Sequence, residues 1–264
     1  MLLEKMKNWR FLLIEINSGF WNMALDEAIL RMGIEGKSPN TLRFYKWKPS
    51  TASIGRNQSL SNEINITFTK EKGFNIVRRI TGGGAVFHDE FREITYSIVC
   101  PIKFLENLGA NKVIEQFEII TQGIIRGLKI FGLKAEKDII HCPAILLKGK
   151  KFSGNAQVRK KGYLLQHGTI LLDLDPELMY SVLKAPENVG KSRMVRSVRA
   201  KCIGIKNYIS NFEEGKLIFS FRKGFEKTLG ITLKEGFISE DESELAEQLM
   251  VEKYANQNWL KKYE

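Results

Sequence analysis

The stretch that most constrains the fold of this chain reads Arg-Arg-Ile-Thr-Gly-Gly-Gly-Ala-Val-Phe-His-Asp and runs from residue 78 to residue 89. An apolar, β-branched run enters three consecutive glycines, and a second apolar run leaves them. This pattern predicts a strand, a loop of bare main chain and a second strand. Residues without a Cβ atom adopt positive φ readily and let a ligand lie against backbone N–H groups.

We therefore predict that this stretch forms part of a binding site. The predicted binding residues are Arg78, Arg79, Gly82, Gly83, Gly84, Ala85, Val86, Phe87, His88 and Asp89. Two guanidinium groups beside the loop offer the forked donors that phosphate and carboxylate prefer. The alternative is a tight β-turn with two surface arginines. The glycine spacing matches neither the dinucleotide-binding motif nor the P-loop.

Composition narrows the class of protein. The chain has 264 residues, of which 43% are hydrophobic and 27% charged, as in ordinary globular proteins. No apolar run reaches the roughly 20 residues of a membrane span, and the N-terminus lacks a signal-peptide pattern, so we expect a cytoplasmic protein without membrane attachment. Its three cysteines include no Cys-x-x-Cys pair, which favours neither a disulfide framework nor a zinc site.

The formal net charge is +11, which raises the question of nucleic acid. The densest basic group lies between Lys191 and Lys201, within a predicted polar, basic loop from Ala185 to Lys201, and it lacks interleaved aromatic residues for base stacking. We consider nucleic acid unlikely and interpret the charge as favouring a small acidic carrier protein or an anionic nucleotide. A solvated basic face without a partner remains an alternative.

Periodicity predicts an α+β fold with mixed β-sheets flanked by helices, because strands and helices do not alternate strictly. Apolar residues at helical spacing predict a first helix from Trp21 to Met32 with Asp26 and Glu27 on its outer side. Alternating small polar and apolar residues predict a half-exposed strand over 94–99.

A long amphipathic helix is predicted from Asn111 to Phe131, with Gly132 as its C-terminal cap. Gly123 and Gly127 on this helix are expected to allow close packing against a sheet. Asp175-Pro176 predicts the start of a further helix, and two more amphipathic helices are expected towards the end of the chain.

Three blocks of the sequence resemble the lipoate–protein ligase A family and its octanoyltransferase relatives. The first is the Arg78–Asp89 stretch; the second, 149–157, resembles the family's Lys-x-Ser-Gly-x-Ala segment; the third, 166–172, resembles its His-Gly-Thr strand. The resemblance implies a biotin/lipoate ligase-like catalytic domain, single over residues 1–264 and without a C-terminal accessory domain.

The resemblance also implies residue roles. Lys151 would be the catalytic cation, facing Gly83 across a slot for the acyl chain and its activated head. Further substrate- and ATP-binding residues would be Ser153, Gly154, Asn155, Ala156, His167, Gly168 and Thr169. The alternative for Lys151 is a surface lysine in a Gly-Lys-Lys turn.

The first functional hypothesis is an ATP-dependent lipoate–protein ligase, which would activate lipoate to lipoyl-AMP. It would then transfer the lipoyl group to a lysine of a small acidic apo carrier domain, a 2-oxoacid dehydrogenase E2 or a glycine cleavage H protein. ATP, Mg²⁺ and lipoate are implied by the resemblance only, and the sequence contains no metal-binding motif. Because ligases that adenylate alone often carry an extra domain, a separate accessory subunit is also expected.

The second hypothesis is an octanoyl or lipoyl transferase that works through a thioester on Cys142, which precedes the lysine block. The unbroken glycine triplet favours the ligase, whereas Cys142 and the segment 154–157 favour the transferase. A small buried thiol is the alternative for Cys142. The third hypothesis is a non-catalytic nucleotide- or RNA-binding protein, motivated by the charge alone.

His88 and Asp89 suggest a base with its carboxylate, but neighbours on a strand point to opposite faces, so they are not expected to form a dyad. His167 is either a hydrogen-bonding residue at the ligand or a core histidine.

Overall fold

The computed structural model describes residues 9–138 and 144–264. The strands are β1 (Trp9–Asn17), β2 (Asn40–Trp47), β3 (Thr51–Ile54), β4 (Asn75–Arg78), β5 (Val86–His88), β6 (Glu93–Pro101), β7 (Ala135–Lys137), β8 (Ile145–Leu147), β9 (Lys150–Ser153), β10 (Asn155–Lys160), β11 (Tyr163–Leu171) and β12 (Leu233–Gly236).

The helices are α1 (Gly19–Ile34), α2 (Leu60–Glu63), α3 (Ile66–Glu71), α4 (Ile102–Asn107), α5 (Val113–Phe131), α6 (Pro176–Val182), α7 (Lys191–Lys201), α8 (Glu214–Leu229), α9 (Glu240–Leu249) and α10 (Gln257–Leu260). A 3-10 turn, Ile205–Tyr208, precedes α8, and a π-helical turn, Met250–Tyr254, follows α9. Within the described part of the chain, none of these helices combines the length and the apolar character needed to cross a membrane.

The strands form one large and two small sheets. The large sheet has the order β10-β11-β6-β2-β1-β12; β1 is parallel to both of its neighbours, and the other pairs are antiparallel. In one small sheet β3 lies between β4, which is parallel to it, and β5, which is antiparallel. The antiparallel strands β7, β8 and β9 form the other. The predicted α+β fold with mixed sheets and flanking helices is thus confirmed.

Helices cover both faces of the large sheet. On one face, α5 and α8 pack against the sheet through a cluster that includes Phe44, Ile124 and Phe225. On the other face, α1 and α9 pack through a second cluster that includes Leu25 and Leu249. The small sheet of β3 has its own cluster, to which α6 contributes Val182. The two small sheets therefore lie beside the large sheet as additions to one α/β core.

Helix α1 differs from its predicted orientation. Ser18 caps it by accepting from the N–H of Trp21 at 3.2 Å, and the predicted span is confirmed. Asp26 and Glu27, which the periodicity placed on the outer side, are only 1% and 4% exposed, so that prediction is wrong. Partners from distant parts of the chain stabilise both carboxylates inside the protein, and helical periodicity carries no information about such partners.

Two further predictions are corrected by the structure. The segment from Lys191 to Lys201 is helix α7, not a loop, because Val195 is buried and anchors the helix. Strand β6, expected to be half exposed, is buried from Glu93 to Cys100. Its polar side chains face buried polar partners instead of water.

Helix α5 ends at Gly132, as predicted, with φ of 100°. Its two glycines, however, face helix α8 and not a sheet. A Cβ atom on Gly123 would lie 2.5 Å from the Phe225 ring. A Cβ atom on Gly224 of α8 would lie 2.3 Å from the carbonyl oxygen of Gly123 and 2.4 Å from the nitrogen of Gly127. The two helix backbones therefore touch at these glycines.

We expect Gly224→Ala to lower the free energy of unfolding by about 1–3 kcal/mol, because the new methyl group meets backbone atoms that cannot move aside. Helix propensity alone would predict a gain of about 1 kcal/mol. Gly215→Ala on the same helix is the matched control, since nothing lies within 4 Å of its Cβ position, and it should not destabilise the protein. Urea unfolding of both variants tests this, and equal stabilities would contradict the close approach.

Candidate active site

A cavity of about 320 Å³ lies where the large sheet, the glycine-rich stretch, strand β9 and helix α6 meet. Strand β11 brings His167, Gly168 and Thr169 to it, and β9 brings Lys151 and Ser153. Residues that the sequence did not indicate complete the lining: Met23, Tyr45, Trp47, Ser53, Thr95, Leu171, Met179, Tyr180, Leu183 and Cys202.

Most of the predicted site residues line this one cavity. They are Arg79, Gly83, Gly84, Ala85, Val86, Phe87, His88, Lys151, Ser153, Gly154, Asn155, Ala156, His167, Gly168 and Thr169. Arg78, Gly82 and Asp89 do not line it. Cys142 lies outside the described residues. The three sequence blocks, separated by up to about ninety positions, are therefore brought together at a single cavity.

Arg78 is fully buried, and its guanidinium group is directed towards protein carbonyl groups. It donates to the carbonyl oxygens of Gly55, Arg56 and Gln58, and to those of Trp259 and Leu260 in α10. The contact to Leu260 is 2.6 Å long. Arg78 thus ties the C-terminal helix to the loop after β3, and its side chain contributes nothing to the cavity wall.

Arg79 organises the glycine loop. Its Nη2 atom donates to the carbonyl oxygens of Gly82 at 2.8 Å and Gly84 at 2.7 Å, and its Nη1 atom donates to the carbonyl oxygen and the hydroxyl group of Ser53. Gly83 between them has φ of 93°, and a Cβ atom on Gly55 would lie 2.0 Å from its carbonyl oxygen. Burial lowers the pKa of Arg79 to about 10, so the side chain stays charged at neutral pH. The loop therefore presents its carbonyl oxygens to an internal cation.

His88 has a carboxylate partner, but the partner is Glu93. Nδ1 of His88 lies 2.7 Å from Oε1 of Glu93, and Nε2 lies 2.9 Å from Oγ of Ser53. The ring stacks on the indole of Trp47 at a centroid distance of 3.9 Å. Asp89 accepts instead from the N–H of Phe91 and from Arg92 outside the cavity. The expectation that His88 and Asp89 form no dyad is confirmed.

Asp26 is the centre of a second buried network. Its carboxylate accepts from Arg43 at 3.0 Å, Ser97 at 2.7 Å and Tyr45 at 3.1 Å. Nδ1 of His167 lies 3.2 Å from the same carboxylate. The alternation of small polar and apolar residues over 94–99 is the sequence signal for this network, since it places Thr95 and Ser97 on one face of β6, where Ser97 contacts Asp26.

The electrostatics of the network follow from burial and pairing. Burial alone would raise the pKa of Asp26, but the hydrogen bond with His167 and the charge on Arg43 outweigh it, and the pKa lies below its ordinary value. Burial lowers the pKa of His167, although Asp26 opposes this shift. A neutral ring beside an ionised carboxylate donates from Nδ1, which leaves Nε2 to accept from the Thr81 hydroxyl 2.8 Å away.

Lys151 lies at the exposed edge of the cavity. Its side chain passes over Gly154, where a Cβ atom would lie 3.2 Å from Nζ. The N–H of Gly154 donates to Oγ1 of Thr169, and the carbonyl oxygen of Gly154 accepts from the N–H of Thr169. The hydroxyl group of Ser153 is buried and has no hydrogen-bond partner among residues 9–138 and 144–264. A cation, an unpaired hydroxyl group and the glycine loop thus share one cavity.

Cys202 follows helix α7 and also lines the cavity. The N–H of Ile203 donates to the carbonyl oxygen of Lys151 at 3.0 Å, which fixes the two segments side by side. Burial raises the pKa of the Cys202 thiol, and the charge on Lys151 opposes this shift only in part. Cys100 is fully buried, and burial raises its pKa strongly. Neither thiol has the lowered pKa of an activated nucleophile.

Potential metal ligands are scattered. In the part of the chain that the structure describes, no group of three or more His, Cys, Asp or Glu residues is arranged to hold a metal ion.

Comparison with known proteins identifies the family to which the sequence is similar. Residues 18–226 match the family model described as the lipoyl protein ligase A/B catalytic domain. The octanoyltransferase LipM of Brevibacillus brevis is 37% identical over an alignment that covers 96% of this chain and 99% of that protein. The corresponding values are 38%, 95% and 97% for LipM of Geobacillus kaustophilus, and 34%, 96% and 98% for LipM of Bacillus subtilis.

Solved structures share the fold. The bi-partite lipoate protein ligase of Thermoplasma acidophilum superposes with a TM-score of 0.84 at 26% identity, covering 97% of both chains. A lipoate–protein ligase A bound with ATP has a TM-score of 0.83 at 26% identity, covering 97% of this chain and all of the other.

These comparisons correct the first functional hypothesis. The sequence predicted an ATP-dependent lipoate–protein ligase, but the nearly full-length relatives at 34–38% identity are octanoyltransferases. The glycine triplet, on which the ligase hypothesis depended, is held by Arg79 through its carbonyl oxygens.

We expect Asp26→Asn to lower the free energy of unfolding by about 3–5 kcal/mol, because it leaves the Arg43 guanidinium buried without its counter-charge. The pKa of Asp26 in the folded protein lies below its ordinary value of 3.8, so its contribution to stability is complete above that pH and is lost as the pH falls through the folded pKa. The stability difference between wild type and variant should therefore shrink in acid.

Urea unfolding at several pH values measures this difference. Glu71→Gln removes one exposed carboxylate from the end of α3 and should change stability by less than about 0.5 kcal/mol. A difference between wild type and Asp26→Asn that stays constant down to the acid transition would show that the Asp26 charge is not stabilised by folding.

Proposed function

Because this chain belongs to the lipoyl protein ligase A/B catalytic domain family, we propose that it is an octanoyltransferase that works through an enzyme thioester on Cys142. The observation that carries the proposal is the identity of 34–38% with LipM octanoyltransferases over nearly the whole of both chains. The chain is an enzyme of lipoyl-group metabolism, and acyl transfer is the finer activity we assign to it.

The chemistry of the cavity supports an acyl substrate. Its walls include Val86, Phe87, Leu171, Met179 and Leu183, which suit a saturated chain. The polar groups of the lining include Lys151, Ser153 and Thr169. We propose that the octanoyl chain lies along the apolar wall with its carbonyl group near Lys151.

The proposed reaction has two steps. The Cys142 thiolate attacks the carbonyl carbon of an octanoyl thioester on an acyl carrier, the carbon–sulfur bond to the carrier breaks, and the departing carrier thiolate takes up a proton. A lysine ε-amine of the acceptor domain then attacks the Cys142 thioester, an amide forms, and the amine proton passes to the released Cys142 thiolate.

We assign to Lys151 the stabilisation of negative charge on the carbonyl oxygen in both tetrahedral intermediates. An ammonium group on a flexible stem supplies a point charge and three donors without needing bidentate geometry. Such stabilisation is worth most in a site that excludes water. Because Lys151 lies at the exposed edge of the cavity, we propose that the bound octanoyl chain and its carrier exclude water there.

The proposed partners are an acyl carrier that donates the octanoyl group and a small acidic lipoyl-carrier domain that accepts it. We propose that residues 1–264 act as one catalytic unit. Because no acyl-adenylate forms on this route, the argument for ATP, Mg²⁺ and a separate adenylation subunit no longer applies. Arg78 and Arg79 direct their NH1 and NH2 donors to protein oxygens, which agrees with a site that holds no triphosphate.

Mass spectrometry after incubation with octanoyl carrier and no ATP tests the nucleophile. We expect the mass of one octanoyl group on wild-type protein, on Cys100→Ser and on Cys202→Ser, and no adduct on Cys142→Ser. Release of AMP from ATP with octanoate or lipoate is not expected. An octanoyl adduct that survives in Cys142→Ser, or AMP release at the rate of acyl transfer, would overturn the proposal.

We expect Lys151→Met to lower octanoyl transfer from a small-molecule thioester by about 10²–10³-fold, the typical effect of losing one donor to the developing oxyanion. Because Lys151 acts on the transition state, kcat should fall more than KM changes. Lys160→Met at the end of edge strand β10 removes an equivalent charge outside the cavity and is the matched control. Steady-state kinetics on both variants measures the difference, and equal rates would show that the Lys151 ammonium takes no part in catalysis.

A further inference from the structure

Helix α7 and the start of β9 form a surface that we call the basic face. Its residues are Lys150, Lys191, Arg193, Arg196, Arg199 and Lys201. Helix α7 carries five of these basic residues and no acidic residue. Along it, Arg193, Arg196 and Arg199 follow one another at intervals of three and are all exposed, so they form one row on the outer surface.

This arrangement works against the stability of the helix itself. Like charges three residues apart repel one another. Lys191 and Arg193 stand in the first turn, where the helix dipole disfavours cations, and Gly190 provides no side-chain cap. Only Val195 is buried to hold the helix down. These charges destabilise the helix that carries them, which indicates that they serve the binding of a partner and not the folding of this segment.

The charges of the basic face are mostly left uncompensated. Arg199 forms an ion pair with Glu177 at 3.2 Å, with both side chains more than half exposed, and Lys191 donates to the neutral hydroxyl group of Ser181. Within residues 9–138 and 144–264, Arg193, Arg196 and Lys201 have neither a hydrogen bond nor an ion pair from their side chains. An anionic partner would therefore meet free cations.

The basic face adjoins the cavity. Nζ of Lys150 lies 3.5 Å from the carbonyl oxygen of Arg199, which joins the start of β9 to α7. Two residues of the basic face are followed directly by residues of the cavity wall. Lys151 follows Lys150, and Cys202 follows Lys201. Helix α7 also packs on α6, which contributes Met179 and Tyr180 to the wall.

We propose that the basic face is the docking surface for the acidic acyl carrier protein that delivers the octanoyl thioester, and this rests on the function proposed above. A carrier bound there would have its prosthetic arm, whose phosphate is one more anion, beside the exposed edge of the cavity where Lys151 lies. Opposite charges on two such surfaces accelerate encounter and orient the partners, while contributing less to the chemical step.

The sequence of α7 favours an acidic protein over RNA. Proteins that bind single-stranded nucleic acid combine basic grooves with aromatic side chains on which bases stack. Helix α7 has no aromatic residue, and its larger apolar side chains, Met194, Val195 and Val198, are turned at least partly inward. The experiment therefore also measures the RNA affinity of wild-type protein and of the test variant.

The experiment compares two donors and two charge reversals. The donors are octanoyl carrier protein and octanoyl-N-acetylcysteamine, a small thioester without a protein. The test variant is Arg193→Glu/Arg196→Glu/Lys201→Glu. The control, Lys129→Glu/Lys227→Glu/Lys234→Glu, makes the same change of net charge on α5, α8 and β12, three exposed positions on elements that contribute nothing to the cavity.

For the test variant we expect kcat/KM with octanoyl carrier protein to fall by about tenfold or more at low salt, and the rate with the small thioester to stay within about twofold of wild type. The control should match wild type with both donors. Near 1 M salt, where the Debye length is about 3 Å, the wild-type advantage with the carrier should disappear.

The outcomes separate the two proposals. If wild-type protein forms no octanoyl adduct with either donor, the proposed function fails. If wild-type protein is active and the test variant keeps its kcat/KM with the carrier, the docking proposal fails while the function stands. Equal losses with both donors would mean that the basic face serves a step common to both, such as docking of the acidic acceptor domain, and would overturn the proposal. Loss of RNA affinity in the test variant with unchanged carrier kinetics would assign the basic face to nucleic acid and overturn the proposal.

Discussion

The buried carboxylate of Asp26 is the contact on which the geometry of the site depends. It belongs to helix α1 and contacts Arg43 and Tyr45 of β2, Ser97 of β6 and His167 of β11. One side chain therefore fixes the helix against three neighbouring strands of the large sheet. Through His167 and Thr81 the same network reaches the glycine-rich stretch, so the position of the cavity wall follows from the pairing of one buried charge.

The two adjacent arginines of the glycine-rich stretch have different tasks. Arg78 holds the C-terminal helix to the loop after β3, and Arg79 holds the carbonyl oxygens of Gly82 and Gly84. Neighbouring side chains on an extended backbone point to opposite sides. Arg78 therefore contacts the terminal segment, and Arg79 contacts the loop at the cavity. Arg79 and His88 also meet at Ser53, so the loop and the imidazole of the cavity are parts of one hydrogen-bonded structure.

The family to which the chain belongs includes ligases and transferases on one fold, and the shared architecture explains why the motifs alone favoured the wrong activity. Both chemistries require an apolar slot, a cation near the acyl carbonyl and a loop without side chains. They differ in what activates the acyl group, a nucleotide in one case and a thiol in the other. That difference lies in few residues. Sequence identity over the full length of a relative therefore indicates the activity better than the motifs that both groups share.

Local periodicity and capping residues determined the element types correctly for α1, α5 and α6, because apolar spacing and caps are short-range properties. It failed where apolar signals were few, as in α7, where a single buried valine anchors a helix dominated by repelling charges. It missed β12 altogether, since that short strand forms only by pairing with β1 at the far end of the chain.

The sequence by itself determined the fold class, the elements with strong periodicity and most of the motif residues that line the cavity. The tertiary structure decided which polar residues are buried and with what partners: Glu93 for His88, Arg43 for Asp26, and main-chain carbonyls for Arg78 and Arg79. The physical reason is that burial of a charge becomes favourable only when a partner arrives from another element. The partners of His88, Asp26 and Arg78 stand on other elements, 5, 17 and 182 positions away, so a periodic pattern within one element does not identify them.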